Sequence, residues 1–313
     1  MKVGKFMARI RQSAIIGEKS KNNRGADAPQ PMQARGSSVF SRLVGALVRA
    51  VLVMFVIAVP SLMLQGVTAD TAQIVALVAF FAGALTFFEY ASVYPGLIEF
   101  RDAPPFNRIR FIALLMTVWL LSVVVQSSYE TSTLTRFVSV LGGAMARSVD
   151  LPFSPVRLLQ MMLPGDASPE HLSQVRTAAG IAYMISLISL AYFVVILRTL
   201  GWPHSIGGFN VWVNLPTFDP TAGGDVVGRL RRDGMFNIVL GFLLPFVIPG
   251  LLKAISSSFA MVTLENPHTM IWTVTAWAFL PASLFMRGIA MGRIASMIEE
   301  KRRHSEVSEF IPA

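Results

Sequence analysis

The chain has 313 residues, of which 53% are hydrophobic and only 14% are charged, whereas soluble domains carry about 25% charged residues. This composition excludes an ordinary soluble domain, and the net charge of +9 does not indicate a nucleic-acid-binding face because the basic residues flank apolar segments. The absence of cysteine excludes disulfide bonds, thiolate metal sites and cysteine nucleophiles.

Residues 1–42 are predicted to form a basic, largely disordered cytoplasmic tail. Residues 1–16 place apolar side chains at helical spacing beside lysines and arginines, which is the pattern of an amphipathic helix on anionic lipid. Residues 17–38 are polar and favour a disordered linker. The alternative for the whole tail is a solvated anchor without a partner. Strong apolar character begins only near Leu43, too late for a cleaved signal peptide, so the first span is expected to remain in the protein.

Residues 43–290 are predicted to form an all-α, polytopic membrane helix bundle. Six apolar segments in it are close to the roughly 20 residues that a helix needs to cross a bilayer. The predicted spans are 44–64, 73–90, 111–127, 177–197, 235–252 and 269–290. Because proline lacks a backbone N–H, we expect it to interrupt three of them. These prolines are Pro60 in span 1, Pro245 and Pro249 in span 5, and Pro281 in span 6.

Two helices are expected to extend beyond the bilayer. Ser168 followed by Pro169 has the pattern of a helix N-cap and first helical residue, so the helix of span 4 is predicted to begin there. Residues 291–313 are predicted to be a helical extension of span 6 and a cytoplasmic tail. Glu299 and Arg303 lie at the spacing of a favourable helical ion pair in this extension.

The distribution of basic residues predicts the orientation. Most of the 27 lysines and arginines fall in the tails and in the loops that share a side with the N-terminus. Because basic residues are retained on the cytoplasmic side, both termini are predicted to be cytoplasmic. The predicted location is a bacterial cell inner membrane. The minor alternative is the mitochondrial inner membrane, because mitochondrial leaders are also basic and amphipathic.

The long outer loop, residues 128–175, is predicted to contain two helices. Residues 134–149 repeat apolar side chains at helical spacing, which favours an amphipathic helix at the outer membrane interface. A re-entrant hairpin is the alternative for this segment. A second, shorter helix is predicted to start at Ser154-Pro155 and to end before Pro164.

Ionisable residues in the membrane are candidates for function because burying them is costly unless they are paired. Glu89 is the only acid within a predicted span, and Arg49 lies at a similar depth, so the two could form an ion pair. Glu89, Arg49 and Asn237 are therefore candidate substrate or ion residues. The alternatives are structural: Arg49 and Arg287 extend to the lipid headgroups, and Asn237 bonds a neighbouring helix.

The two cytoplasmic loops are aromatic and rigid, which is typical of segments that pack against something. In loop 90–110, Glu99, Arg101 and Asp102 are expected to form a local network, and the partner is either the second loop or another subunit. In loop 202–234, residues 207–216 resemble a short strand or turn, and the arginines that follow are either topological signals or ligands for lipid headgroups. The candidate partner-facing or lipid-facing residues are Tyr94, Glu99, Arg101, Asp102, Phe106, Trp212, Arg229, Arg231 and Arg232.

The sequence lacks the motifs of common enzymes. It has no phosphate-binding loop, no nucleophile elbow and no pair of histidines at metal-binding spacing, so no catalytic activity, cofactor or metal is predicted. The predicted function is that of a non-enzymatic subunit, scaffold or assembly factor of a larger membrane complex. Its predicted partners are the lipid bilayer, anionic headgroups and other membrane subunits, not nucleic acid. The alternatives are a small transporter or channel that uses Glu89 and the proline-broken spans 5 and 6, and a membrane enzyme acting on lipid.

Overall fold

The computed structural model describes residues 32–203, 211–219, 221, 223–259 and 264–309. These residues form helices joined by turns, and no strand occurs among them. The helices are α1 Met32–Met63, α2 Ala69–Ala91, α3 Phe106–Gln126, α4 Thr133–Val149, α5 Pro155–Gln160, α6 Pro169–Thr199, α7 Val211–Asn214, α8 Val226–Phe259 and α9 Pro267–Glu309. The chain divides after Gly45, within α1, and the packing reported below is that of residues 46–313.

Six of these helices, α1, α2, α3, α6, α8 and α9, are long and apolar enough to cross a membrane. They correspond to the six predicted spans, so the all-α class and the number of apolar spans are confirmed. The predicted amphipathic helix at residues 1–16 lies outside the described residues. Helix α1 begins at Met32, within the segment predicted to be a linker.

Several predicted helix ends are confirmed. The hydroxyl of Ser168 accepts a hydrogen bond from the backbone N–H of His171, and Pro169 is the first residue of α6. Helix α9 continues to Glu309, as the absence of helix breakers indicates. In the long loop, α4 and α5 occupy the two segments predicted to be helical. In the segment predicted to be a short strand or turn, residues 211–214 form one helical turn, α7, and not a strand, while residues 204–210 lie outside the described residues.

The expectation that prolines break the helices is wrong. Helix α1 continues through Pro60, α8 continues through Pro245 and Pro249, and α9 continues through Pro281. A proline leaves the carbonyl group four residues earlier without its helical donor, and a neighbouring helix can supply another donor.

Trp277 supplies such a donor to α8. Its indole Nε1–H donates to the carbonyl oxygen of Pro245 at 2.9 Å. This carbonyl is the one that Pro249 leaves unbonded, because residue 249 would otherwise donate its N–H to residue 245. Trp277 is 1% exposed, so the bond lies inside the bundle. The indole therefore replaces the missing helical hydrogen bond.

Helices α8 and α9 pack antiparallel at very short distance. A Cβ atom on Gly241 would lie 2.6 Å from the carbonyl oxygen of Pro281. About two helical turns further along the pair, a Cβ atom on Gly288 would collide with the carbonyl oxygen of Gly234. Glycine is required at these positions because the two backbones meet directly, as in other close membrane helix pairs.

Helices α3 and α6 bury residues along most of their length, and α4 packs on α6. Gly180 of α6 lies directly against the backbone of Ala146 in α4, so a side chain at this position would collide with α4. The end of α4 is held by Asp150, whose side chain is 4% exposed and binds Arg157 and Arg176. These contacts join α4, α5 and α6 at one end of the bundle.

Helix α2 is packed very differently. Its buried residues are Ala79 and Gly83, and Gly83 lies against Met54 of α1. The rest of its surface is largely exposed and apolar. The most exposed large side chains of α2 are Ile74, Leu77, Phe80, Phe81 and Phe88.

Candidate functional site

The two segments predicted to be cytoplasmic loops pack against one another at one end of the bundle, here called the polar end. The polar end comprises residues 92–105, the described part of residues 200–225 and the adjoining helix ends. The backbone N–H of Phe100 donates to the carbonyl oxygen of Asn214 at 2.7 Å, and the N–H of Asp102 donates to the Asn214 side chain at 3.1 Å. The structure thus shows the first of the two predicted alternatives, in which each loop is the partner of the other.

A buried aromatic cluster lies beneath these loops. Phe100, Phe106, Phe193 and Trp202 are each at most 1% exposed. The ring centroids of Phe100 and Phe106 are 4.4 Å apart, and the indole Nε1–H of Trp202 donates to the carbonyl oxygen of Ala103 at 3.2 Å. The prediction that Phe106 faces a partner or lipid is wrong, because this ring belongs to the protein's own core.

The central polar contact is a two-point ion pair between Glu99 and Arg287. The Nε and Nη2 atoms of Arg287 donate to the two carboxylate oxygens of Glu99 at 2.6 and 2.8 Å. The carboxylate side chain is 12% exposed and the guanidinium side chain 27%. Paired donors of this kind fix both groups in orientation as well as in charge.

Two further side chains complete this contact. The Nη1 atom of Arg287 donates to the side-chain oxygen of Asn237 at 3.0 Å, and the hydroxyl of Thr217 donates to Glu99 at 2.5 Å. The amide nitrogen of Asn237 donates to the carbonyl oxygen of Asp233 at 2.7 Å, which fixes its orientation. The four side chains come from both loops and from α8 and α9, so one cluster ties four segments together.

Glu99 and Asn237 are among the candidate residues predicted from the sequence, but Arg287, which joins them, is not. Arg287 is bound within the protein instead of extending to lipid headgroups. The predicted network of Glu99, Arg101 and Asp102 forms only in part, because Arg101 pairs with Asp102 at 3.2 Å while Glu99 turns to Arg287. Glu99 and Arg287 are 188 positions apart, so no local pattern could reveal the pair.

Glu89 is bound by the loop that follows its own helix. Its carboxylate accepts hydrogen bonds from three successive backbone N–H groups, those of Gly96 at 3.0 Å, Leu97 at 2.9 Å and Ile98 at 3.1 Å. The guanidinium of Arg49 lies over the ring of Tyr90, 4.6 Å from its centroid. The predicted ion pair between Glu89 and Arg49 stays a prediction.

Arg101 closes the end of α2. Its Nη1 atom donates to the carbonyl oxygens of Glu89 at 3.0 Å and Ser92 at 2.7 Å, and Nη2 donates to that of Val93 at 3.3 Å. The last carbonyl groups of a helix lack helical donors and carry partial negative charge. Arg101 therefore neutralises the C-terminus of α2 and holds the loop on it.

Arg110 has incomplete hydrogen bonding. It is half-buried near the start of α3, and its Nε atom is enclosed without a hydrogen-bond partner. Its Nη1 atom makes a long hydrogen bond of 3.4 Å to Asn107, and its guanidinium lies near the rings of Phe106 and Phe279. Within the described part of the chain, no carboxylate is at ion-pair distance from it.

The predicted arginines of the second loop lie on exposed surfaces. Arg229 lies over the ring of Phe218, with 4.8 Å to its centroid. Arg231 of α8 pairs with Glu299 of α9 at 2.5 Å, and Arg232 approaches Asp233 at 3.6 Å. Tyr94 is 77% exposed, and the side chain of Trp212 lies outside the described residues.

Two acids of the second loop have lowered pKa values. Hydrogen bonds from Arg302, at 2.7 Å, and from the backbone N–H of Gly228 lower the pKa of Asp225. Hydrogen bonds from Thr221 lower the pKa of Asp219. Both carboxylates are therefore ionised at neutral pH, and Asp225 links α8 to the end of α9.

Comparisons with protein-family models, curated proteins and solved structures find no match to this chain. In the part that the structure describes, no group of three or more histidine, aspartate or glutamate side chains is placed to hold a metal ion. The arrangement of the polar end serves to bind helices to loops: Glu99, Glu89 and Arg101 each fix a loop segment to a helix.

Proposed function

We propose that the protein is a non-enzymatic subunit, scaffold or assembly factor of a larger membrane-protein complex. The observation that carries this proposal is the surface of α2. The buried residues of this helix are Ala79 and Gly83, and it leaves Phe80, Phe81 and Phe88 exposed. A helix with so few internal contacts needs another surface to fix its position.

The loop after α2 continues this apolar surface. Val93, Tyr94 and Leu97 are between 61% and 77% exposed, although the backbone that carries them is held by Glu89 and Arg101. Aromatic side chains on a rigid backbone are typical of protein interfaces, because little conformational entropy is lost when they bind. The loop tip and α2 together form the proposed contact surface.

The hydrogen bonds of the charged groups favour a structural role for them over a role in proton transfer or transport. Glu89 and Glu99 are each held by several donors, and Arg287 is bound by three side chains. A transporter that used Glu89 would have to release its carboxylate from three backbone N–H groups in every cycle. The alternative function therefore has less support.

The contacts at the polar end also support the proposed orientation. Arg231 with Glu299, Arg302 with Asp225, and Arg287 with Glu99 bring both loops and the end of α9 to one side. Because these segments carry most of the basic residues, we assign this side, with both termini, to the cytoplasm of a bacterial inner membrane.

We assign α4 and α5 to the outer membrane interface. Helix α4 buries Val138 and Ala146 against the bundle and exposes Phe137 and Val140 together with Arg136. Mixed apolar and basic exposure is typical of helices that lie in the headgroup region.

Photocross-linking in cells tests the subunit proposal. With p-benzoylphenylalanine at position 81, on α2, we expect a covalent adduct with another protein. The matched control is position 188 on α6, where Ile188 is 57% exposed, and we expect lipid adducts only. Lipid adducts alone at both positions, with no protein retained after extraction in mild detergent, would overturn the proposal.

Single-cysteine labelling tests the orientation, and the natural chain has no cysteine to give background. Tyr94→Cys and Phe153→Cys each place a thiol at an exposed position, 77% and 83% exposed, at opposite ends. In intact cells, an impermeant maleimide should label Phe153→Cys and not Tyr94→Cys. The reverse labelling would invert the proposed topology.

A further inference from the structure

Tyr90, at the end of α2, is surrounded by positive charge. The guanidinium of Arg49 lies over its ring, 4.6 Å from the centroid. Arg101 and Arg110 are also close enough to interact electrostatically with its hydroxyl group. The three arginines come from α1, from the loop after α2 and from α3, so the cluster lies where these segments meet at the polar end.

Three acids of the polar end, Asp102, Glu99 and Glu89, are already bound by other groups. Arg101 is satisfied by Asp102 and by backbone carbonyl groups. The carboxylate of Glu99 pairs with Arg287, and the carboxylate of Glu89 accepts hydrogen bonds from backbone N–H groups. Arg110 is left with electrostatic attraction to an acid that is already paired.

A half-buried guanidinium without a counter-ion is unfavourable, because its lost hydration is not repaid by an opposite charge. Arg110 has in addition an enclosed Nε–H without an acceptor and a single long hydrogen bond to Asn107. An anion at the accessible part of this guanidinium would supply the missing counter-ion. Guanidinium groups bind phosphate oxygens in this way through parallel N–H donors.

We propose that Arg110, together with Arg49 beside Tyr90, binds the phosphate of an anionic phospholipid. Tyr90 is near the end of α2 and Arg110 is near the start of α3, and both helices can span a membrane, so this is the depth of a headgroup. Ile112 on α3, two residues from Arg110, is 55% exposed and can contact an acyl chain. The proposal does not depend on the complex proposed above, because it concerns the isolated chain and lipid.

Lipid binding by the purified full-length protein tests the site. The protein in neutral detergent is titrated with phosphatidylglycerol and, separately, with phosphatidylcholine, and bound lipid is counted by native mass spectrometry. Wild-type protein should retain phosphatidylglycerol preferentially. Arg110→Gln and Arg49→Gln should each weaken this binding about tenfold, which corresponds to about 1.4 kcal/mol, because each removes a charged hydrogen-bond donor.

Arg232→Gln is the matched control, because the Arg232 side chain is 78% exposed at the same end and lies outside the site. It should bind phosphatidylglycerol as the wild type does. Arg110→Lys keeps the charge but loses the parallel N–H donors, so it should bind phosphatidylglycerol more weakly than the wild type and more strongly than Arg110→Gln.

Three outcomes would overturn the proposal. The first is equal retention of the two lipids by the wild type. The second is unchanged phosphatidylglycerol binding by both single variants, Arg49→Gln and Arg110→Gln. If Arg110→Gln does not fold, unchanged binding by Arg49→Gln alone has the same meaning. The third is thermal stabilisation by inorganic phosphate to the full extent seen with phosphatidylglycerol, which would assign the site to a soluble phosphate.

Discussion

Helices α2 and α9 are both apolar enough to span a membrane, but they are packed in opposite ways. Helix α9 buries Trp277 and Ala290, among others, and its Gly288 touches the backbone of α8. Helix α2 buries Ala79 and Gly83 and leaves its aromatic side chains uncovered. Hydrophobicity places both in a bilayer, since lipid and protein interiors are about equally apolar. The difference lies in small residues and polar contacts, which decide whether a helix is held by its own chain.

The largest effect is expected where backbones touch. Gly288→Ala places a methyl group against the carbonyl oxygen of Gly234, so the free energy of unfolding should fall by about 3 kcal/mol. Denaturant titration in mixed micelles measures it. Gly292→Ala in the same helix is the control, because a Cβ atom there meets nothing within 4 Å, and it should change stability by less than about 0.5 kcal/mol. An equal loss of stability in Gly288→Ala and Gly292→Ala would show that the contact with Gly234 is not the reason for glycine at position 288.

The next effect concerns the ion pair that fixes the loops to α9. Glu99→Gln should lower the free energy of unfolding by about 2 kcal/mol, because Arg287 is left partly buried without its carboxylate. Adding Arg287→Gln in a double-mutant cycle gives the coupling energy. The exposed pair of Arg231 and Glu299 is the control, and Glu299→Gln should cost below about 1 kcal/mol. A coupling energy near zero would remove Glu99 and Arg287 as the central contact.

A smaller effect is expected at the proline of α8. Trp277→Phe removes the indole donor from the carbonyl oxygen of Pro245 and should cost about 1 kcal/mol. Pro249→Ala restores the helical N–H for that carbonyl. Pro249→Ala should therefore raise the free energy of unfolding more in the Trp277→Phe background than in the wild-type background. A second double-mutant cycle measures this difference. Strictly additive effects would contradict the exchange of donors.

The smallest effect on stability is expected on α2. Phe81 is 63% exposed, so Phe81→Ala should change the unfolding free energy of the purified protein by less than about 0.5 kcal/mol. The same change should reduce the yield of cross-linked partner obtained from position 88. A loss of stability as large as that of Gly288→Ala would place α2 in the core and reverse the comparison.

Some features follow from local sequence and others do not. The six apolar helices and the cap at Ser168-Pro169 depend on residues that are adjacent in the chain, and they are predicted well. The continuity of α8 through Pro249 depends on a donor from α9, Trp277, which a rule for single helices cannot include.

The candidate site shows the same limit. Glu89, Glu99 and Asn237 stand out by residue type, because polar side chains near apolar segments are uncommon. Their partners do not, since Glu89 binds backbone N–H groups that every sequence contains and Glu99 binds an arginine of the last helix. The predicted meeting of the two loops is correct, but the side chains that join them could not be named.

The long sequence separation of the central ion pair has a consequence for biosynthesis. The ribosome adds 188 residues between Glu99 and Arg287, which takes roughly 10 to 40 s at 5–20 residues per second. During this interval the first loop lacks the arginine that anchors it, whereas Glu89 can bind its backbone donors as soon as residues 96–98 emerge. The loop therefore forms its local hydrogen bonds before it is joined to α9, and a chain that terminates before α9 has Glu99 without Arg287.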